Sequence, residues 1–353
     1  MKPSTRSSGR KQLIGFRRDR ALGLTLLELL VAMVIGLVVV LAAVTALTVS
    51  RRGFTTVDAA SQLRDSGRFA SDLIQRIGVQ TGYRDVVFAA LQRKTAADPP
   101  PNVSGFNNAL LSASDPLNSF VARSNASVVG YGSDILILRY QASQLYTMTE
   151  NATQKTVSDQ TMIDCAGNPA ATVTDIDNAA ARDERMASIF HIAVNQNEPA
   201  LMCTYPDPAT AGAFKTVPVV QGVEQLQVLY GVDGVTPGAA PPAGAATPSL
   251  PTRYLRADEM VVAGNAAGTR ANWRRVRSIR VGLILRSAPG STQTNESTTY
   301  YPFGAARSSA TSTDKGSAFK STSDTGTTFT APADGRLRQV VTFTIHLRND
   351  QGL

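Results

Sequence analysis

The chain has 353 residues, of which 43% are hydrophobic, 18% charged and 6% aromatic, and this composition excludes a wholly disordered, collagen-like or disulfide-dense protein. Its two cysteines are too few for a zinc site built from four cysteines, and His191 and His346 are the only imidazoles for a catalytic triad. Of the net charge of +8, the first 23 residues carry +6 and the remaining 330 carry +2. Most of the net positive charge therefore belongs to an N-terminal leader, so it is weak evidence for nucleic-acid binding.

An uncharged segment of 21 residues runs from Leu29 to Val49. As a helix it spans roughly 30 Å, the thickness of the hydrocarbon core of a membrane. The basic leader precedes it, whereas only Arg51 and Arg52 flank its other end before Asp58. The positive-inside rule then places the N-terminus in the cytoplasm and predicts export of the remaining ~300 residues.

A cleaved signal peptide is the alternative interpretation of this segment, because Val44-Thr45-Ala46 has the small-x-small pattern of a cleavage site. Two features speak against it. The apolar run is longer than a typical signal-peptide core, and Glu28 lies among leucines at its start. A carboxylate at such a place costs about 2.5–3.5 kcal/mol on insertion scales, so Glu28 is expected to have a partner.

The stretch from Ala21 to Leu30, ALGLTLLELL, resembles the N-terminus of type IV pilins and their pseudopilin relatives. The resemblance implies that a membrane prepilin peptidase cuts after Gly23 and N-methylates Leu24, where the family prefers Phe. It also implies that Glu28, fifth in the mature chain, pairs with the positively charged N-terminus of a neighbouring subunit. Such a charge-assisted contact can select the register of one helix beside the next.

The helical pattern continues beyond the apolar segment. Apolar residues recur at spacings of three and four through Ile77, with charges mostly on the other face, and Asp72 is spaced to pair with Arg68 and Arg76. This predicts one helix of about 50 residues. With the resemblance, it divides the chain into a leader (1–23), a membrane and filament-core half of the helix (24–50), an amphipathic half (51–78) and a periplasmic β-rich head (79–353).

The sequence SQLRDSGRFA from Ser61 to Ala70, followed by Gly82-Tyr83, resembles the minor pilins of the PilW family. This resemblance implies an α+β pilin-like fold, in which the long N-terminal helix packs on an antiparallel sheet. It also implies a structural subunit with no enzymatic activity that acts in the initiation or at the tip of type IV pilus assembly. Twitching motility and adhesion are associated with that role.

Short β-rich runs bounded by turn residues predict the strands of the head. They cover residues 134–140, 188–194, 201–205, 223–230, 276–286 and 339–347. Residues 93–127, 234–251 and 305–333 are rich in Pro, Gly, Ala or Ser and predict long loops. The alternation in the longer strands favours one antiparallel sheet facing the helix on one side.

Cys165 and Cys203 both follow the membrane segment, so the oxidising periplasm makes them candidates for a disulfide worth ~4 kcal/mol. Two buried free thiols are the alternative.

No G-x-S-x-G, H-E-x-x-H or Walker motif is present, and both histidines lie in predicted strands, where a structural role is expected. The acidic stretch from Asp175 to Asn178 lacks the Gly and the terminal Glu of an EF-hand loop. We therefore expect neither catalysis nor a metal or other cofactor.

One basic cluster remains in the mature chain, formed by Arg270, Trp273, Arg274, Arg275 and Arg277. Arginine beside tryptophan can contact phosphate and stack on bases, which is the pattern of a DNA-binding surface. A strand with a solvated arginine face, lying against another subunit, is the interpretation that we favour.

The resemblance implies other minor pilins, the major pilin, the prepilin peptidase, the inner-membrane assembly platform and a tip adhesin as partners. It places the precursor in the inner membrane as a single-pass protein with a periplasmic head, and the assembled subunit in the pilus. A minor pseudopilin of a type II secretion system shares the N-terminal features. A membrane-anchored periplasmic enzyme is the alternative of another class, and it predicts no processing at Gly23.

Overall fold

The computed structural model describes residues 25–84, 100–125, 128–148, 154–172, 185–245, 250–304, 326 and 328–349. The chain divides into two compact units, Met1–Phe54 and Thr55–Leu353, which are considered separately below.

A single helix, α1, runs over Leu26–Gln80. The predicted helix of about 50 residues is confirmed, and it ends two residues later than expected. In the first unit every described residue is exposed, and α1 is the one helix of the described residues long and apolar enough to cross a membrane. The hydroxyls of Thr45 and Thr48 donate to the carbonyl oxygens of Leu41 and Val44, at 3.0 and 2.7 Å. These polar groups therefore have partners within the helix, as an apolar environment requires.

The second unit contains antiparallel sheets. Its strands are β1 Val103–Phe106, β2 Ala109–Leu111, β3 Phe120–Ala122, β4 Ile135–Tyr140, β5 Gln144–Met148, β6 Gln154–Ser158, β7 Met186–Asn195, β8 Glu198–Pro206, β9 Phe214–Gln221, β10 Val223–Val232, β11 Arg253–Leu255, β12 Val276–Arg286, β13 Thr299–Tyr300, β14 Phe329–Thr330 and β15 Arg338–His346. A short helix, α2, covers Ala266–Trp273, and the side chain of Asn265 caps it by accepting from the Gly268 amide at 2.8 Å.

The strands form two main sheets in place of the one that the sequence predicted. The first has the order β1-β4-β7-β8-β9 and the second the order β11-β10-β12-β15; three two-stranded ribbons complete the described strands. The predicted loops at 93–127 and 305–333 are wrong in part, because they contain β1 to β3 and β14. These strands are two to four residues long, too short to produce a periodic signal among Pro, Asn and Ser.

One apolar core joins the second half of α1 to both sheets. It contains Ala70 and Ile74 of the helix, Phe190 of the first sheet, and Tyr230 and Leu283 of the second, all buried. The predicted α+β fold, in which the second half of the long helix packs on antiparallel sheets, is therefore confirmed, and both sheets contribute to the core beside the helix.

Two glycines let the helix approach β15 closely. A Cβ at Gly67 would lie 2.8 Å from Cγ2 of Val341, and one at Gly78 would lie 2.8 Å from Cδ1 of Ile345. Beyond β15 the chain continues to Asn349, whose Nδ2 donates to the carbonyl oxygen of Thr81 at 3.0 Å. The end of α1 is thus packed and capped by the C-terminal part of the chain.

Candidate functional site

Glu28, the carboxylate that the sequence predicts to need a partner, lies in the first turn of α1. Glu28 Oε2 accepts hydrogen bonds from the backbone amide and the hydroxyl of Thr25, both at 3.0 Å, and the Glu28 amide donates to Thr25 Oγ1 at 3.3 Å. This reciprocal arrangement is a capping box, in which two otherwise unsatisfied amides at a helix start obtain partners. Thr25 was missed by the sequence reasoning, although its T-x-x-E spacing to Glu28 is the signal of a capping box.

The capping box leaves Glu28 exposed at the start of the apolar helix. Hydrogen bonds to Thr25 orient one carboxylate oxygen, but they supply no positive charge. The large apolar residues that follow are exposed in the isolated chain, with Leu26 at 80% and Leu37 at 71%. A continuous apolar surface of this size requires lipid or other helices around it. The predicted cleavage residues, Gly23 and Leu24, lie outside the described residues.

Cys165 and Cys203 are joined by a disulfide in the structure. Their Sγ atoms are 2.02 Å apart, their Cα atoms 5.8 Å apart, and both residues are buried. The bond fastens the segment before β7 to β8. Neither sulfur is therefore available as a nucleophile or metal ligand.

The basic cluster is not the surface that the sequence suggested. Trp273 is only 5% exposed and packs edge-on against Tyr230, with ring centroids 4.7 Å apart. Arg275 is also buried, and its Nε donates to the carbonyl oxygen of Asp233 at 2.6 Å. A buried tryptophan cannot stack on bases, so the predicted exposed Arg-Trp surface is wrong for these two residues.

The other members of the cluster are half-buried and lie on different elements. Arg270 belongs to α2, Arg274 follows that helix, and Arg277 lies in β12. Arg277 Nη1 donates to the carbonyl oxygens of Arg274 and Val276, both at 3.1 Å. The predicted strand with one arginine face is therefore replaced by a helix, a turn and a strand, because Trp273 is drawn into the core.

Six charged side chains form a closed ring between the two sheets. Arg286 binds Glu198 at 2.6 Å and Glu224 at 3.0 Å, and Arg338 binds Glu224 at 2.6 Å. Asp334 completes the ring by contacting Arg338 at 2.7 Å and Arg336 at 3.7 Å, and Arg336 returns to Glu198 at 2.8 Å. Three guanidinium groups thus alternate with three carboxylates, so each charge has opposite neighbours on both sides.

The ring shifts the pKa values of Asp334, Glu198 and Arg338. The hydrogen bond from Arg338 lowers the pKa of Asp334, and hydrogen bonds from Arg336 and Arg286 lower that of Glu198. Burial by itself would lower the pKa of Arg338, but its bonds to Asp334 and Glu224 outweigh that effect and raise it. These groups hold their charges firmly at neutral pH, which fits a structural role better than proton transfer.

His191 lies in β7 and is 5% exposed, with Nε2 2.9 Å from Oγ1 of Thr204. Burial and, to a lesser extent, the charge of Arg123 lower its pKa to about 4. The ring is therefore neutral at pH 7 and bonded to a structural hydroxyl. Among the described residues no group of three or more His, Cys, Asp or Glu is placed to hold a metal ion, and Asp175 to Asn178 lie outside those residues.

The buried His191 predicts acid sensitivity in a defined range. Its folded pKa of about 4 is below the unfolded value of about 6.5, so the unfolded chain binds the additional proton between these values. Because the native state keeps His191 neutral, the free energy of unfolding has its full value above pH 6.5. It decreases as the pH falls towards 4, and the decrease is roughly 2 kcal/mol at pH 5. Urea unfolding of the full chain in detergent at pH 7 and pH 5 measures it.

The matched variants are His191→Gln and His346→Gln, since His346 is exposed at the end of β15. His191→Gln should remove most of the stability difference between the two pH values, whereas His346→Gln should keep it. An unchanged difference in His191→Gln would show that other groups cause the acid sensitivity.

Comparisons with known protein families find matches in two parts of the chain, the N-terminal segment and the head. Residues 189–349 match the family described as Type IV Pilus-assembly protein W, and residues 18–44 match the family described as Prokaryotic N-terminal methylation motif. The chain is similar to the structure of a type IV-like pilin from Thermus thermophilus, with 13% identity, 82% of this chain and 98% of that chain covered, and a TM-score of 0.37. No curated protein is significantly similar to it in sequence.

Proposed function

Because the chain belongs to the PilW family of type IV pilins, we propose that it is a minor pilin that acts in the initiation or at the tip of type IV pilus assembly. The observation that carries the proposal is the presence of the N-terminal methylation motif and the PilW region in one chain. The exposed apolar helix provides the means of assembly, since it buries its surface first in lipid and then among the helices of other pilins.

In this proposal the prepilin peptidase cuts after Gly23 and methylates Leu24. Glu28 then neutralises the positively charged N-terminus of a neighbouring subunit, which selects the register between the two helices. The precursor is a single-pass inner-membrane protein with a periplasmic head, and the mature chain moves into the pilus. Its partners are other minor pilins, the major pilin, the assembly platform and a tip adhesin, and the head acts as a structural surface without catalysis.

The test is the N-terminus and intact mass of the protein made with and without a prepilin peptidase. We expect a methylated Leu24 N-terminus and a loss of about 2.5 kDa with the peptidase, and the uncut precursor without it. A start at Leu47 would mean signal-peptidase cleavage, and an uncut chain in both cases would mean a simple anchor; either result would overturn the proposal.

Processing alone does not separate a pilus subunit from a secretion pseudopilin. Pili sheared from cells should contain the chain in trace amounts, and deletion of its gene should reduce the number of pili. Normal piliation after deletion, together with a loss of protein secretion, would instead assign the chain to a type II secretion system.

A further inference from the structure

The last strand of the second sheet, β15, has one edge without a paired strand among the described residues. It pairs with β12 over nine consecutive residue pairs, from Arg338 opposite Arg286 to His346 opposite Ser278, without a register shift. No strand lies on its other side in the described parts of the chain. This edge is therefore long and regular.

The hydrogen bonds next to the strand show which of its backbone groups point outward. The backbone amide of Ser287 donates to the carbonyl oxygen of Leu337, and the amide of Leu347 donates to the carbonyl oxygen of Arg277. The backbone amides and carbonyls of the odd-numbered residues of β15 therefore point towards β12. The amides and carbonyls of the even-numbered residues face away from the sheet, and these residues are Arg338, Val340, Thr342, Thr344 and His346. No backbone hydrogen bond to any of these groups occurs among the described residues.

The other edges of the two main sheets have features that discourage pairing. β1 and β11 have four and three residues. β9 contains Pro218 and the salt-bridged Lys215, and its pairing with β8 has a register shift at Leu201. Proline, lysine, irregularity and shortness are the usual means by which edge strands avoid other chains. β15 has no proline or lysine and contains Val340, Val341, Phe343 and Ile345. Among the described edges of the two main sheets, it is therefore the one best suited to an added strand.

A groove of about 390 Å³ lies beside this edge, between the strand and α1. Ser61, Arg64, Asp65, Arg68, Ser71 and Gln339 line it. Arg64 and Arg68 are exposed and form no ion pair with another described residue. Two guanidinium groups against Asp65 leave the groove with a net positive charge, so it favours a negatively charged occupant.

The spacing of the two arginines fits a strand. Gly67 faces Val341 and Gly78 faces Ile345, so α1 and β15 run in the same direction over this length. Residues 64 and 68 are one helical step of about 6 Å apart along the axis, and alternate residues of a strand are about 6.8 Å apart. Side chains at positions i and i+2 of a strand added to β15 would therefore face Arg64 and Arg68 in turn.

We propose that the free edge of β15 binds an extended acidic segment of a partner protein, which adds a fifth strand to the second sheet and places two alternate carboxylates against Arg64 and Arg68. Main-chain hydrogen bonds to the even-numbered residues supply affinity, and the two arginines supply specificity and register. The site lies entirely in the second unit, so its test is independent of how the N-terminus is processed.

The probe is a labelled nine-residue peptide, Thr-Val-Thr-Glu-Thr-Glu-Thr-Val-Thr, and its counterpart with Lys in place of Glu. Binding to the full chain in detergent is followed by fluorescence anisotropy. We expect the Glu peptide to bind at least about tenfold more tightly than the Lys peptide, which corresponds to ~1.4 kcal/mol. The Glu peptide should also slow hydrogen exchange of the amides at the five outward-facing residues.

Two pairs of variants test the two components separately. Arg64→Glu with Arg68→Glu should reverse the preference in favour of the Lys peptide, whereas Arg76→Glu, on the same helix but away from the groove, should not change it. Thr344→Pro removes an outward amide and keeps the ladder to β12, so it should weaken the Glu peptide at least about tenfold, while Thr344→Ala should bind normally. Equal melting temperatures establish that the variants fold.

Equal binding of the two peptides, or unchanged binding by Thr344→Pro, would overturn the proposal. A wild-type chain that is dimeric, and becomes monomeric in Thr344→Pro, would overturn it in another way, because the edge would then pair with a second copy of itself. If Thr344→Pro does not fold, the exchange measurement on the wild type decides: no slowing at the five residues contradicts the added strand.

Discussion

The substitution Glu28→Ala is expected to remove the chain from pili, by a factor of at least about a hundred, while its head keeps the wild-type melting temperature. In the proposed filament the carboxylate neutralises a neighbour's N-terminal ammonium in an apolar environment. Removal of one partner of a buried charge pair costs about 3–5 kcal/mol, because the other charge remains buried and uncompensated. The amount of the chain in sheared pili, relative to its amount in cells, measures the effect.

The capping box allows an experiment that separates the capping role of Glu28 from the role of its charge. Glu28 both bonds to Thr25 and carries a negative charge, and Glu28→Ala removes both. Glu28→Gln keeps an oxygen that accepts from the Thr25 amide, since Gln also serves in capping boxes, but it removes the charge. Thr25→Val removes the hydroxyl that takes part in the cap but leaves the Glu28 carboxylate and its negative charge.

Charge pairing predicts that Glu28→Gln is as defective in assembly as Glu28→Ala, and that Thr25→Val assembles nearly normally. The loss of the cap costs only about 0.5–2 kcal/mol of local helix stability. Normal assembly of Glu28→Gln would mean that Glu28 acts as a capping residue, and the pairing role would have to be abandoned. Membrane levels of each variant serve as the control for insertion.

The elements that were predicted correctly are those with strong local patterns. The expected strand at 276–286 coincides with β12, and the helix differs by two residues at its end. In α1 the buried residues recur mostly at spacings of three and four, and β12 is a long run of mostly buried residues, so in both elements the local pattern and the tertiary environment agree. Gly67, predicted as part of a family motif, proved to be a point of close approach to Val341.

The features that were missed depend on contacts distant in sequence. β9 contains Pro218, which reads as a strand breaker, and it is tolerated because β9 lies at a sheet edge. The division into two sheets follows from long-range pairings such as β4 with β7, which no local pattern specifies. The position of Trp273 in the core was missed because the surrounding arginines dominate its sequence neighbourhood.

The charged ring is the clearest example of a feature that local sequence cannot predict, since Arg336 and Glu198 are 138 residues apart in sequence. Its members come from β8, β10, β12, β15 and the turn before β15, so it fastens the two sheets to each other at one end. Arg338 is also the first residue of the strand whose free edge we propose as a binding site. A ring that fixes the start of β15 therefore also fixes the register of the residues that face outward from it.

Glu224→Gln is expected to be the most damaging single change in this ring, because Glu224 and Arg338 are its most buried members, with side chains 7% and 3% exposed. The substitution leaves the guanidinium groups of Arg338 and Arg286 without their shared carboxylate, and we expect it to lower the free energy of unfolding by about 3–5 kcal/mol. Urea unfolding of the full chain in detergent at pH 7 measures this loss.

Glu198→Gln is the matched control, because Glu198 also contacts two arginines but its side chain is 36% exposed. Water screens this position, so the expected loss is about 1 kcal/mol or less. The double variant Glu224→Gln with Arg338→Gln should lose less than the sum of the two single variants, since the second change removes the charge that the first left unpaired. Equal losses from Glu224→Gln and Glu198→Gln, or additive effects in the double variant, would show that the ring is only a set of surface contacts and that β15 is held in place by its apolar face alone.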